Sequence, residues 1–128
     1  CFSARISVSR GHSRKTRYKE INMNYCRQFR DEELDRSLSR PDIDLLFGTG
    51  GALSGVMYCN EMEYGPFGVH DDQEGFFVLS GTGTFYVDGE EFRVGPEMAI
   101  MIPPHVEHCF KKDADSEDMK IFYFHAAN

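Results

Sequence analysis

The chain has 128 residues, 41% of them hydrophobic and 13% aromatic, and a formal net charge of −7. That length suits one domain, which can bury roughly two thirds of the surface its unfolded chain exposes. No apolar run approaches the ~20 residues of a membrane span and none has the layout of a secretory signal, so a soluble, cytoplasmic protein is expected.

Eleven Phe, twelve Gly and no Trp suit short strands and tight turns better than a helical bundle. Cys1, Cys26, Cys59 and Cys109 are scattered without paired spacing, so neither a disulfide framework nor a zinc ribbon is indicated, and reduced thiols are the simpler expectation. Charge is unevenly placed. Residues 1–22 hold six basic side chains and one acid, a net of +5, whereas the rest of the chain holds eight basic and twenty acidic ones, a net of −12. Residues 1–22 are therefore read as a basic, disordered leader and residues 23–128 as a single domain opening at Met23. The acidic domain, with no helix-turn-helix pattern, argues against direct contact with nucleic acid.

Within residues 24–40, Phe29, Leu34 and Leu38 fall at helical spacing with acids near the front, which predicts a short helix ended by Pro41. IDLLF begins the first strand. GTGG lacks the Lys and helix pattern of a phosphate loop and reads as a turn, followed by a strand over residues 52–62. Another is predicted at Phe67–Val69, leading into His70 and the polar turn Asp71, Asp72, Gln73. EGFFVLSG is a strand with apolar residues on both faces, as expected where one face packs inside and the other meets a partner. In GTFYVDGEEFRV two strand-like runs flank Asp88-Gly89, the favoured two-residue hairpin turn. MAIMI is stopped by Pro103-Pro104, VEHCF follows, and MKIFYFH ends the series after a charged loop. So many short strands predict a closed or sandwiched antiparallel β fold.

His70, Glu74 and His108 offer two imidazoles and a carboxylate, a set able to hold one divalent metal. His108 is flanked at period two by Val106 and Phe110, so it should point into the same apolar interior, where an unpartnered imidazole is unfavourable. Each has a bland alternative. His70 could be a surface residue and Glu74 an ordinary turn acid. Asp72, two residues from His70, would face the same side of a continuous strand. His105 reads as a loop residue at the rim, His125 as lying near a fraying end, and Cys109 as core. Tyr86 and Tyr123 could offer a phenol to a substrate.

Two stretches, GPFGVHDDQEGFFVLSG and GPEMAIMIPPHVEHCF, resemble the paired motifs of the cupin superfamily, the small jelly-roll barrels, and the likeness spans residues 53–124. In that family the first motif carries HxH, then three or four residues, Glu, six residues and Gly. Glu74 and Gly81 match, His70 stands at the second His position, and Gly68 occupies the first. The second motif, PxGxxH, is met by Pro103 and His108, with His105 where the family has Gly. The resemblance implies an antiparallel jelly roll with a metal held at its mouth by three His and one Glu, carried here by His70, Glu74 and His108 with the fourth ligand missing. Asp72 is the residue best placed to compensate.

Two His and one carboxylate still form a triad with open positions for Fe, Mn, Ni or Zn. The family implies a small metal-dependent enzyme of the dioxygenase, isomerase or lyase type acting on a small organic molecule, with no catalytic residue assigned. It also implies two alternatives: a non-enzymatic binding or sensing module, and a metal-free form suggested by Gly68. A homodimer is expected by analogy.

Overall fold

The structure, a computed structural model, describes residues 25–126. Eight strands make up nearly all of its regular secondary structure: β1 (Asp42–Phe47), β2 (Leu53–Cys59), β3 (Gln73–Ser80), β4 (Gly83–Val87), β5 (Glu90–Val94), β6 (Ala99–Ile102), β7 (His108–Lys112) and β8 (Met119–Ala126). They form a five-stranded sheet in the order β1-β2-β8-β3-β6 and a three-stranded sheet in the order β5-β4-β7, every pairing antiparallel.

The alternation of the strands decides what lies between the sheets. Met119, Ile121 and Tyr123 of β8 and Phe76 and Val78 of β3 point inward, where they join Phe85 and Phe110 of the smaller sheet in one buried cluster. The intervening Phe77 and Leu79 stay exposed on the outer face. EGFFVLS is thus apolar on both sides, as its sequence indicates. The Phe85 and Phe110 rings stack at 4.8 Å, with Phe76 edge-on to both. Asp88 and Gly89 both take positive φ, 50° and 87°, the two left-handed residues that a type I′ hairpin between β4 and β5 requires.

The antiparallel jelly-roll sandwich expected from the sequence is therefore present, but its expected N-terminal helix is not. Over residues 25–40 only Asp31–Glu33 form a single 3-10 turn. A short helix must offset its nucleation cost by burying an apolar stripe, and here side chains offer the backbone other partners. Asp35 Oδ1 accepts from the Ser37 backbone at 3.1 Å, and Asp31 accepts from the Tyr58 hydroxyl at 2.6 Å. Arg36 lies over the Tyr58 ring and pairs with Asp118, so the segment is strapped across the sheet. The strand expected at Phe67–Val69 is reduced to one bridge, Gly68 to His108. The leader expected at residues 1–22 lies outside the described residues.

Candidate metal centre

The site forms where β3, β7, β8 and the loop before β3 meet. Glu74 is the second residue of β3, and in the β3–β8 register its partner is His125. His108 opens β7 and is bridged to Gly68 by two backbone hydrogen bonds of 2.8 and 3.1 Å, which bring the preceding loop and His70 alongside. Glu74 and His108 are almost fully buried, while His70 and His125 close the mouth side.

The Glu74 carboxylate is the common neighbour. Its Oε1 lies 3.0 Å from His70 Nε2 and 3.3 Å from His108 Nε2, and its Oε2 lies 3.1 Å from His125 Nε2. The opposite ring nitrogens also face acceptors. Asp72 stands 3.0 Å from His70 Nδ1 through one oxygen and 2.9 Å from His125 Nδ1 through the other, and His108 Nδ1 lies 2.9 Å from the Val106 carbonyl. Burial alone would raise Asp72, yet the adjacent His125 and His70 hold its carboxyl below the usual carboxylate value. Burial pulls the His108 imidazole down, but its contacts with Glu74 and Val106 outweigh this and leave it above the usual histidine value.

Glu74, His108 and His125 line a cavity of about 280 Å³ whose other walls include apolar Met57, Phe76 and Phe110 and polar Asp42, Asp44 and Tyr123. The Tyr123 hydroxyl donates to Asp44 Oδ1 at 2.8 Å. Burial, then that hydrogen bond, push its phenol well above the usual tyrosine range.

A family model described as a cupin domain matches residues 57–125, more than half of the chain. The chain belongs to the cupin family. Among solved structures, a Photorhabdus luminescens protein superposes with a TM-score of 0.65 at 20% identity, covering 80% of this chain and 88% of its own. A Bacteroides fragilis cupin protein gives 0.63 at 20% identity over 83% and 85% of the two chains. A Thermotoga maritima protein titled a predicted oxalate decarboxylase gives 0.61 at 15% identity over 70% and 81%. No curated protein matches the chain.

In this cupin the three sequence candidates come together: the ligand atoms of His70, Glu74 and His108 all lie within 4.8 Å of one another. Position 68 faces the same cluster, since a Cβ built on Gly68 would start 3.3 Å from His108 Nε2. Asp72 does not sit beside Glu74 as a replacement donor at the ring Nε2 side; it takes the Nδ1 side of two rings. Tyr86 is outside the cluster, its hydroxyl donating to Glu107. His105 is at the rim, as expected, with its side chain exposed and 3.6 Å from Asp71. Cys109 is buried, also as expected. His125 is where the sequence reading falls short, for it lies within β8 and touches both Glu74 and Asp72.

The donor chemistry fits a cation. A neutral imidazole carries one N–H, and each of these three rings lies between two acceptors: His70 and His125 between Asp72 and Glu74, His108 between Val106 and Glu74. With each Nδ1–H donated outward, three Nε2 lone pairs converge on a carboxylate that can only accept. Metal-bound histidines have this arrangement, the far nitrogen anchored on a carboxylate or carbonyl and the near one free to ligate.

Proposed function

We propose that this cupin binds a divalent metal ion through His70, Glu74 and His108 and works as a small metal-dependent enzyme on a small organic molecule. The observation that carries the reading is the convergence of three imidazole Nε2 atoms on the Glu74 carboxylate, an arrangement that a cation ligated by those nitrogens satisfies. Two imidazoles and a carboxylate suit Fe, Mn, Ni or Zn and leave positions for a substrate oxygen. When bound, such an ion supplies Lewis-acid polarisation of that oxygen.

The chain's own residues shape what can approach. Phe76 and Phe110 give the cavity apolar walls, and Asp42 and Asp44 line it as well, with no Lys or Arg among the described lining residues. A dicarboxylate of the kind named for the Thermotoga maritima protein would have the ion as its sole cationic partner among the described lining residues and would meet like charge at Asp42 and Asp44. A neutral, hydroxyl-bearing molecule can donate to those carboxylates instead, so that class is proposed for this chain.

The free thiols of Cys26, Cys59 and Cys109 support a reducing, cytoplasmic setting. Among the described residues no helix is long and apolar enough to cross a membrane. Pairing as a homodimer is proposed on the apolar outer face, where Phe77, Leu79 and Met101 are exposed around one shallow depression. The mass of the protein in solution tests it.

Elemental analysis tests the metal. Purified wild type, expressed with mixed first-row metals, should carry close to one equivalent, and His108→Ala should carry almost none. Negligible metal in both proteins would overturn the reading.

A further inference from the structure

We infer that His125, from the last strand, is a fourth metal donor that stands in for the histidine this chain lacks at position 68, and that Asp72 is the positioning residue that makes it one. This rests on the metal reading above and deepens it.

The β3–β8 register sets His125 directly beside Glu74, and its Nε2 comes within 3.1 Å of Oε2, the oxygen not shared by His70 and His108. Gly68 leaves the His108 side of the cluster without a side chain of its own. The fourth donor therefore arrives from a neighbouring strand instead of from the loop. Its ring stands 5.3 Å from that of His70, tilted by 54°.

Asp72 couples the two rings. One carboxylate spans His70 Nδ1 and His125 Nδ1 with one oxygen each, at 3.0 and 2.9 Å. It can accept from both at once, which fixes both rings as Nδ1–H and turns both Nε2 lone pairs toward Glu74. An asparagine could accept from one ring only, and its NH2 would need an acceptor nitrogen on the other. The other ring must then carry its proton on Nε2, where it can no longer ligate. A cation on the other side would engage His70, Asp72 and His125, whose ligand atoms also lie within 4.8 Å of one another, but would leave His108 facing Glu74 unresolved, which is why the Glu74 side is assigned.

The test uses the full chain, stripped of metal and titrated with cobalt(II), whose visible spectrum reports donor number and whose titration gives affinity. Wild type, His125→Gln, Asp72→Asn and His108→Ala are compared, with far-UV circular dichroism to establish that each is folded. His125→Gln should weaken binding by at least about tenfold and change the spectrum. Asp72→Asn should weaken it by roughly 10–100-fold, as loss of an outer hydrogen-bond partner does. In the metal-free Asp72→Asn protein, nitrogen NMR should find one of the two rings moved from Nδ1–H to Nε2–H.

If wild type and His125→Gln share affinity and spectrum while His108→Ala loses cobalt, the metal reading stands and the fourth donor is overturned. If the rings keep Nδ1–H in Asp72→Asn, its positioning role is overturned. If wild type takes up no cobalt, both fail together.

Discussion

Glu74 on β3 and His125 on β8 are cross-strand partners, and their side chains meet at 3.1 Å at the mouth of the sandwich. With a neutral His125 ring donating its other nitrogen to Asp72, the facing nitrogen and oxygen are both acceptors, and a cation between them satisfies both.

Replacing Glu74 by Gln should separate fold from metal. The amide can donate where the carboxylate could not, so the metal-free variant should melt at or above the metal-free wild type. Wild type should gain about 2.7 kcal/mol from zinc at a hundred times its dissociation constant, and Glu74→Gln should gain almost nothing. Thermal melts with chelator and with zinc measure both.

His105 occupies a left-handed backbone conformation, φ 64°, at the position where the family motif has Gly. A side chain there costs about 1 kcal/mol, while its backbone N–H donates to the His70 carbonyl at 2.8 Å whatever the residue. His105→Gly should raise stability by up to about 1 kcal/mol in urea denaturation and leave metal content unchanged.

Gly55 should tolerate no substitution. It pairs with Tyr123, and a Cβ there would lie 2.4 Å from both the Tyr123 ring and the Ile43 carbonyl oxygen. The backbone oxygen cannot swing aside as a flexible side chain would. Gly55→Ala should cost on the order of 1–3 kcal/mol and break the Tyr123–Asp44 hydrogen bond, read out by denaturation and by tyrosine fluorescence.

Acid stability should carry the signature of Asp113. Arg93 bonds both of its oxygens, at 2.7 and 2.6 Å, and Thr82 adds a third contact at 2.8 Å. The Arg93 guanidinium, then Thr82, hold its carboxyl down at about 2. A carboxylate depressed in the folded state stabilises above its unfolded value of about 3.9 and loses that contribution as pH falls through the folded one. The stability difference between wild type and Asp113→Asn should therefore be constant above about pH 5 and shrink as pH falls from about 5 through 2, as urea midpoints across that range will record.

Local signals were legible in the sequence: the Asp88-Gly89 hairpin, the Pro103-Pro104 stop after β6, and the period-two flanks that turn His108 inward. The joint spacing of His70, Glu74 and His108 could be read from motifs because each lies near a turn whose chemistry is local. His125 could not. Its role depends on β3 pairing with β8, strands that are neighbours in the sheet but have four others between them in sequence, and no local pattern encodes that register. The misread helix at residues 24–40 has the same origin, since its fate was set by Tyr58 and Asp118, distant partners that drew Asp31 and Arg36 away.

The most direct test of the metal centre is X-ray absorption of the protein loaded with zinc and desalted. The expected spectrum has a nitrogen and oxygen shell near 2.0–2.1 Å, outer scattering from at least two imidazole rings and no sulfur. A shell without imidazole, a sulfur-dominated shell, or zinc that washes away would contradict a centre built on Glu74 and its histidines.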